Sequence, residues 1–548
     1  MPEARYGNAA PGLAILAGGL LLMATPGMPG SAWLAWPGLV PLLWAIRYAR
    51  PGKAFRLGLL CGLVFFTGLL YWIMIVLGRY GNLPLWITLP ALLLLAAYMS
   101  LYTGIFAAGL AWARPAMAPL WLAPVLWVAL DYLRGLILTG FPWLDLGYSQ
   151  FQNLVIIQSA DLAGHHGLTF LVVLANGLIF AVLTRFLPHG RQSDSKYSQA
   201  AAALLLLAAF VYGALRLPQI DQASATAEHL SVTVVQGNVP QDEKWVPAFQ
   251  EKTVRDYLAL SQQAMHGEPD HLLIWPETAL PFYPMEHPLF RAVTRELMTG
   301  PPTCLLTGAP HRELAGSPPE LHYYNSAFLL APTPGQPGGL HPAGRYDKQH
   351  LVPFGEYIPL RTILPLPGPL VETMGDFTLG DSVLPLSCQK ARLGVLICFE
   401  SIFPDLARRE VEAGATLLVN ITNDAWFGRS SAPWQHLAMA VLRAVENRRS
   451  LARAANTGIS GFVDPAGRTH GLSPLFVPYA ASDRLPLLTC PTVFGRFGHH
   501  LPLACLLLLV PIGFFIGRIG RTGRMSPIKK HNQGDSPCPP NSNRKFKI

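Results

Sequence analysis

Three residues in the second half of the chain have side chains suited to nucleophilic catalysis. Cys398 ends the apolar run 394–397, Glu277 follows the run 272–276, and Lys348 precedes a Pro/Gly-rich turn. They occur in the order Glu, Lys, Cys at spacings of 71 and 50 residues. Taken alone, Cys398 is more typical of an inert core thiol, Glu277 of a solvated turn and Lys348 of a surface cation. As an ordered set they predict a catalytic triad.

The three side-chain types complement each other chemically. A cysteine thiol has an ordinary pKa of about 8.5, so Cys398 needs a base, and Glu277 is the candidate. Glu277 would then return the proton to a leaving group and later deprotonate a second nucleophile. Lys348 would favour the thiolate and stabilise an oxyanion, together with a backbone N–H such as that of Phe399. One site would thus serve two half-reactions.

The surrounding sequence alternates short β-rich runs with helical patterns. The predicted strands are Leu230–Gln236, Leu272–Trp275, Cys304–Gly308, Ser326–Leu330, Arg392–Cys398, Thr416–Asn420 and Ser460–Asp464. Helices are predicted near 247–266, 286–299, 404–413 and 434–448. This alternation indicates an α/β layered fold, and the strands that are apolar throughout indicate a sheet covered on both faces. Catalytic groups would lie at strand ends and in the loops that follow them.

The composition indicates an integral membrane protein. The 548 residues are 51% hydrophobic and 13% charged, about half the usual charged fraction of a soluble protein. Apolar windows long enough to cross a bilayer lie near 11–28, 31–47, 57–78, 87–113, 118–137, 167–187, 199–217 and 499–517. We therefore predict a seven-span membrane domain over 1–217, an outer catalytic domain over 218–498, an eighth span over 499–517 and a disordered tail over 518–548.

The positive charges predict the orientation. Lys and Arg collect after the second, sixth and eighth windows, which places those connections in the cytoplasm. The protein would then lie in the bacterial inner membrane, and the block 218–498 would face outward into the periplasm. The tail 518–548 holds eight Lys/Arg against one Asp, which leaves only +2 of the net charge of +9 for the rest of the chain. The basic balance is thus a topology signal and predicts no nucleic-acid partner.

Cysteines and histidines give no cofactor signal. The seven cysteines form no C-x-x-C pair, so the sequence predicts neither a disulfide framework nor a metal site. The pairs His165-His166 and His499-His500 lack neighbouring carboxylates or thiols in the sequence, which argues against a metal. No phosphate-cradling glycine loop or dinucleotide fingerprint is present, so no cofactor is expected.

Taken together, these motifs make the chain resemble the nitrilase, or carbon–nitrogen hydrolase, superfamily. The resemblance rests on Trp275-Pro276-Glu277, on Lys348 followed by Pro353-Phe354-Gly355-Glu356, and on Cys398-Phe399-Glu400-Ser401. It implies an αββα sandwich carrying a Glu-Lys-Cys triad. The eight spans around this domain make the chain more closely similar to the bacterial apolipoprotein N-acyltransferases over residues 10–517.

The resemblance also implies substrates. The donor would be a glycerophospholipid, phosphatidylethanolamine in the family, whose acyl chain moves to Cys398 as a thioester. The acceptor would be the amine of a diacylglyceryl-cysteine at the start of an apolipoprotein. Two rival functions stay open: a membrane-tethered amidase that uses water as acceptor, and a transporter with an outer binding module. The transporter hypothesis predicts internal repeats, which we do not find.

Further site residues follow from the same resemblance. Glu356 and Glu400 match supporting carboxylates, with ordinary structural ion pairs as the alternative, and Trp245 matches a tryptophan at the mouth of the site, with a plain core aromatic as the alternative. Phe399 stands where better-known relatives have a tyrosine, so a role for that hydroxyl does not transfer.

Three apolar segments could form the surroundings of the site. Segments 360–371 and 424–428 are predicted to dip toward the bilayer and gate lipid entry, or else to pack on the sandwich. Segment 141–150 would form a floor beneath the outer domain, or else an aromatic anchor at the membrane interface.

Overall fold

The computed structural model describes residues 8–114, 119–186, 194–265, 271–290, 303–315, 317, 319–333, 340–358 and 377–522. The N-terminal part is helical. Its longer helices are α1 (Ala10–Met23), α2 (Val40–Ile46), α3 (Pro51–Leu69), α4 (Leu85–Ala113), α5 (Pro119–Arg134), α6 (Ala160–Arg185) and α7 (Lys196–Thr226). Shorter helical turns connect them, among them Ala35–Gly38, Ile73–Ile75, Val76–Tyr80, Leu146–Gln150 and Leu154–Ile157.

Four of these helices are long and apolar enough to cross a membrane: α3, α4, α6 and α7. Shorter apolar helices cover Ala10–Met23, Ala32–Ile46 and His500–Ile516. The chain is therefore a membrane protein, while the count of eight spans stays a prediction. Helix α7 ends at Thr226, so the expected domain boundary at 217/218 falls inside a helix. The helix continues past Pro218 as a more polar segment, which a hydropathy window does not detect.

Small residues let the membrane helices pack closely. A Cβ atom at Gly62 of α3 would lie 2.8 Å from the Ser100 side chain of α4, so only glycine permits this approach. At the end of α5, Asp131 and Arg134 lie three residues apart in the chain and form a buried ion pair, with 3.3 Å between Oδ1 and Nη2. Pairing offsets the cost of placing charges in this apolar part of the molecule.

The rest of the chain forms two six-stranded sheets. The first has the order β12-β1-β2-β3-β4-β5 and the second β11-β10-β9-β8-β7-β6. The strands are β1 (His229–Gln236), β2 (His271–Ile274), β3 (Thr303–Ala315), β4 (Glu320–Pro332), β5 (Leu340–Asp347), β6 (Leu386–Cys388), β7 (Ala391–Ile397), β8 (Leu417–Thr422), β9 (Ser450–Ala455), β10 (Gly461–Val463), β11 (Thr469–His470) and β12 (Tyr479–Pro486). Strands β1, β2 and β3 run parallel, as do β7, β8 and β9.

Helices cover the outer face of each sheet. Helix α8 (Pro247–Ala264) connects β1 to β2, while α9 (Pro404–Glu412) and α10 (Ala432–Asn447) connect β7 to β8 and β8 to β9. The inner faces of the two sheets share one apolar core, and separate cores lie under α8 and under α9 with α10. The layers are thus helix, sheet, sheet, helix, which confirms the predicted αββα sandwich. Helix α11 (His500–Thr522) then returns to the membrane helices, against α5.

Several elements differ from the sequence-based expectation. Strands β5, β6, β9, β11 and β12 were not predicted, because they are short, lie at sheet edges or carry polar residues such as Arg453. The helix predicted near 286–299 extends outside the described residues. The predicted boundary at 517/518 falls inside helix α11, which continues to Thr522, so residues 518–522 are helical and not disordered. The rest of the predicted tail lies outside the described residues. The expectation of no disulfide is wrong: Cys304 of β3 and Cys388 of β6 are bonded and join the two sheets. A separation of 84 residues hides this pairing from local patterns.

Candidate active site

Cys398 lies where a buried strand turns into a short helix. Strand β7 ends at Ile397, and a 3₁₀ turn covers Cys398–Ile402. The cysteine has φ of +52°, a backbone conformation that non-glycine residues seldom adopt and that clusters at functional sites. Burial and the nearby Glu277 carboxylate raise the pKa of the Cys398 thiol, against the opposing charge of Lys348. The resting side chain is therefore a thiol that needs a base.

Glu277 follows the end of β2 and is held by two donors. Its Oε1 accepts a hydrogen bond from Asn325 Nδ2 at 2.7 Å, and its Oε2 accepts one from the backbone N–H of Asn423 at 2.8 Å. Gly308 of β3 permits this loop, since a Cβ there would lie 2.6 Å from the Glu277 Cα. The donors fix the direction of the carboxylate, which a general base requires.

Lys348 directly follows β5 and lies between two carboxylates. Its Nζ is 2.7 Å from Glu356 Oε1 and 3.6 Å from Glu277 Oε1. Burial disfavours the cation, yet the charges of Glu356 and Glu277 raise the pKa of Lys348 above its ordinary value. The ammonium group is thus a fixed positive charge beside the thiol, suited to stabilising a developing anion.

Two further carboxylates contact the segments that carry Lys348 and Cys398. Glu356 Oε2 accepts from the backbone N–H of Val352 at 2.8 Å and so closes the turn after Lys348. Glu400 accepts four hydrogen bonds, whose donors are Ile397 N at 2.7 Å, Gln349 N at 2.6 Å, His350 N at 3.1 Å and Tyr346 Oη at 3.0 Å. Burial raises the pKa of Glu400 to about 7. This side chain ties the Cys398 turn to the Lys348 loop.

Sequence reasoning missed two asparagines at the site. Asn325 Nδ2 donates to Glu277 and, at 3.0 Å, to Glu356 Oε1, so one amide spaces both carboxylates. Asn325 lies within strand β4, and no local sequence pattern distinguishes it from the other polar residues of that strand. Asn423 directly follows β8, and a search of every strand end for polar residues would have found it.

An aromatic floor separates the site from the membrane helices. The Phe141 ring stacks on Phe399 with centroids 6.3 Å apart, and Trp143 Nε1 donates to Gln435 of helix α10 at 2.7 Å. These contacts favour the predicted floor over an interfacial anchor. Segment 424–428 also packs against the membrane part, where the ring centroids of Trp72 and Phe427 lie 4.9 Å apart. The other predicted gate, 360–371, lies outside the described residues.

Trp245 lies beside the Glu277 loop. It is half-buried and lines a cleft of about 430 Å³ with residues such as Pro281 and Phe282, which closely follow Glu277 in the chain. The preceding Lys244 donates from Nζ to the Glu277 carbonyl at 3.1 Å. A half-buried ring beside a cleft is not a plain core aromatic, and the position of Trp245 at the mouth of the site stays a prediction.

The His165-His166 pair has carboxylate neighbours after all. His165 lies 2.8 Å from Asp145 Oδ2 and 3.4 Å from Glu446 Oε1, so the argument that no carboxylate accompanies this pair is wrong. Asp145, His165 and His166 could converge on a cation. However, Arg134 contacts Asp145, and Arg443 donates to Glu446 at 3.0 Å. Guanidinium groups already neutralise these carboxylates, and the cluster joins the membrane helices to α10.

Comparisons with known proteins agree with this architecture. The family described as apolipoprotein N-acyltransferase N-terminal domain matches residues 17–178, and the carbon-nitrogen hydrolase family matches residues 231–482. The apolipoprotein N-acyltransferase of Geobacter metallireducens is 42% identical over 495 residues, covering 90% of this chain and 92% of that protein. The one of Rhodopseudomonas palustris is 34% identical over 526 residues, with coverages of 91% and 93%.

Among solved structures, Saccharomyces cerevisiae Nit3, a member of branch 10 of the nitrilase superfamily, aligns with a TM-score of 0.35 and 17% identity. The alignment covers 47% of this chain and 90% of that chain. The sequence matches are far more extensive, since they include both the membrane helices and the sandwich. On their identity and coverage, the chain belongs to the apolipoprotein N-acyltransferase family.

Proposed function

We propose that this protein is a phospholipid:apolipoprotein N-acyltransferase that catalyses the last step of lipoprotein maturation. The observation that carries the proposal is the convergence of Glu277, Lys348 and Cys398 directly above an aromatic floor from the membrane part. A soluble amidase has no need for such a floor. Family membership supports the same reaction, and no cofactor is needed for it.

The first half-reaction makes an acyl-enzyme. Glu277 takes the proton of the Cys398 thiol, and the sulfur attacks the carbonyl of the sn-1 ester of a glycerophospholipid. The tetrahedral intermediate collapses with cleavage of the ester C–O bond, and Glu277 returns the proton to the departing oxygen. The products are a lysophospholipid and a thioester on Cys398.

The second half-reaction transfers the acyl group to an amine. The free α-amine of a diacylglyceryl-cysteine attacks the thioester carbonyl while Glu277 accepts its proton. The C–S bond breaks, the amide forms, and the sulfur regains a proton from Glu277. A thioester reacts more readily with an amine than with water, so a floor that limits the entry of water favours transfer over hydrolysis.

Both half-reactions pass through an oxyanion. The Lys348 ammonium provides a positive charge at this point, and the backbone N–H of Phe399 provides a second donor. Glu356, Asn325 and Glu400 hold these groups in place through the contacts described above. Trp245 would border the entrance. The residues Glu277, Lys348 and Cys398 are thus assigned the catalytic roles.

The location and finer substrate choice are part of the proposal. We assign phosphatidylethanolamine as the donor, the inner membrane as the location, and the periplasmic side for the sandwich. The Lys/Arg pattern supports this orientation. The Cys304–Cys388 disulfide supports it too, because such bonds persist mainly in oxidising compartments. The domain order stays as predicted, with helix α7 extending the membrane part to Thr226.

Intact-protein mass spectrometry tests the first half-reaction. The purified protein is incubated with phosphatidylethanolamine alone, and an added fatty-acyl mass that hydroxylamine removes is expected. Cys398→Ala should abolish this mass and Glu277→Gln should reduce it strongly. Cys490→Ala, which removes a free exposed thiol, is the matched control and should keep it.

Adding a diacylated apolipoprotein peptide then tests the acceptor. Transfer of the acyl mass to the peptide, with loss of the thioester, supports the N-acyltransferase. Rapid release of free fatty acid with no acylated peptide would favour the tethered amidase instead. A wild-type protein that stays unmodified in competent lipid would exclude the acyltransferase.

A further inference from the structure

Three buried polar side chains beneath Cys398 resemble the constellation of a serine hydrolase. Ser401 Oγ lies 2.8 Å from His436 Nε2, and His436 Nδ1 lies 3.1 Å from Asp424 Oδ1. All three side chains are fully buried. The mechanism proposed above uses none of them, so their arrangement needs its own explanation.

The partners of His436 determine which ring nitrogen carries a proton. Arg453 Nη2 lies 2.8 Å from Asp424 Oδ2 and 3.0 Å from His436 Nδ1. Nδ1 faces both this donor and, at 3.1 Å, the acceptor Asp424 Oδ1, so its contacts alone do not fix the tautomer. Nε2 lies 3.0 Å from the carbonyl oxygen of Cys398, which can only accept and therefore requires a proton on Nε2. Burial and the Arg453 charge also lower the pKa of His436, which keeps the ring neutral. The remaining proton is therefore on Nε2.

A proton on Nε2 rules out a serine nucleophile. In a Ser-His-Asp triad, the nitrogen that faces the serine must accept a proton. Here Nε2–H is a donor, and it lies 3.0 Å from the carbonyl oxygen of Cys398. The Ser401 hydroxyl donates to the same carbonyl at 3.1 Å. Two side chains thus converge on one backbone acceptor, that of the proposed nucleophile.

Fixing this carbonyl also fixes the next backbone N–H. The peptide bond between Cys398 and Phe399 is planar, so its C=O and N–H point to opposite sides. Phe399 is in the first turn of the 3₁₀ helix, where backbone N–H groups have no partner within the helix. Its N–H is therefore directed away from His436 and available to a ligand.

We propose that His436 and Ser401 are positioning residues that orient the Cys398–Phe399 peptide, so that the Phe399 N–H stabilises the oxyanion. Arg453 and Asp424 contact the other ring nitrogen of the imidazole. The positive φ of Cys398 makes such support necessary, because this backbone conformation is unfavourable by itself. The inference rests on the proposed acyl transfer for its biological substrate.

Two reactions of the same thiol separate oxyanion stabilisation from general integrity. Acylation of Cys398 by p-nitrophenyl butyrate passes through an oxyanion, whereas alkylation by iodoacetamide displaces iodide without one. Both rates are measured by mass spectrometry on the purified full-length protein. The variants are His436→Leu, His436→Gln and Ser401→Ala, with His271→Gln as control. His271 is also buried but begins strand β2, at the end opposite Glu277.

The expected result is a selective loss of acylation. His436→Leu should lower the acylation rate by roughly 100-fold, the effect of losing one oxyanion donor, with alkylation nearly unchanged. His436→Gln should recover much of this rate, because a glutamine amide can donate where Nε2–H did. Ser401→Ala should cause a smaller selective loss, and His271→Gln should change neither rate.

Other outcomes overturn the inference. Equal losses in both reactions for His436→Leu and Ser401→Ala would mean a merely structural role, and unchanged acylation would mean no role at all. A wild-type Cys398 that the ester cannot acylate would also refute it. A parallel assay with phosphatidylethanolamine tests the proposed function separately. If phospholipid does not acylate Cys398 but the ester does, the proposed function is refuted. The ratio of the ester acylation rate to the alkylation rate still decides whether His436 and Ser401 position the peptide.

Discussion

Replacing Glu400 by glutamine should lower the stability of the protein at low pH but not at high pH. The ordinary pKa of a glutamate is 4.5, and burial raises that of Glu400 to about 7. The folded protein therefore binds an extra proton between these values, and wild-type stability falls as the pH rises from 4.5 to 7. At 1.36 kcal/mol per pKa unit, the charged form costs about 3 kcal/mol above pH 7.

Glutamine removes this cost and loses an acceptor. With its oxygen toward Gln349 and His350, its NH₂ group faces the Ile397 N–H and the Tyr346 hydroxyl. The hydroxyl can rotate and accept, but the backbone N–H loses its partner, which costs about 1–3 kcal/mol at every pH. Glu400→Gln should thus be less stable than wild type at pH 4.5 and equal or more stable at pH 8.

Thermal unfolding of the detergent-solubilised protein measures this difference. The entropy of unfolding is about 2 cal/mol/K per residue. The stability difference between variant and wild type changes by about 3 kcal/mol between the two pH values, which corresponds to a relative Tm shift of about 3 °C. Glu412→Gln, which changes an exposed carboxylate of helix α9, is the control and should show no such pH-dependent shift. A Tm difference between Glu400→Gln and wild type that is the same at pH 4.5 and pH 8 would refute the reasoning.

Three further outcomes follow from buried contacts. Cys304→Ser should lower the free energy of unfolding by about 4–5 kcal/mol from chain entropy, and a reductant should add nothing to this loss in denaturant titrations. Arg448→Met removes one of the two guanidinium partners of Asp161, which keeps Arg216 at 2.9 Å, and should cost about 1.5–3 kcal/mol, whereas Arg484→Met at an exposed position should leave the melting curve unchanged. Gly308→Ala should slow acylation by displacing the loop after β2, and an unchanged acylation rate would show that the loop relaxes freely.

Two of the proposed catalytic residues could be found in the sequence because each follows a predicted strand. Glu277 comes after β2 and Cys398 after β7, where a polar group stands out against an apolar run. Lys348 follows β5, which was not predicted, and was found only as the middle member of the ordered set. Asn325 and His436 could not be found in this way. Asn325 is within a strand and His436 is on a buried helix. Hydrophobic periodicity predicts that such positions pack in the core, but it does not predict their hydrogen-bond partners. Asn325 contacts Glu277, 48 residues away in the chain, and His436 contacts Cys398, 38 residues away.

The same limit applies to long-range structure. Strand β12 pairs with β1 across more than 200 residues, and the disulfide joins strands of different sheets. Hydropathy did find the apolar segments, because a bilayer selects for composition along a continuous stretch. It missed the end of helix α7, since a helix stays hydrogen-bonded after its surface becomes polar. Local patterns therefore predict elements, while pairing requires the folded chain.

Buried polar contacts join the sandwich to the membrane helices. Arg448 extends from the end of helix α10 to Asp161 Oδ2 and to the backbone carbonyl of Gln158, at 3.0 Å. Trp143 donates to Gln435 of the same helix. Because removing one partner of a buried ion pair leaves an uncompensated charge, an isolated sandwich would expose Arg448 and an apolar face. The site thus depends on the membrane part for its stability as well as for its floor, which explains why helix α10 carries both the Arg448 contact and His436 beneath Cys398.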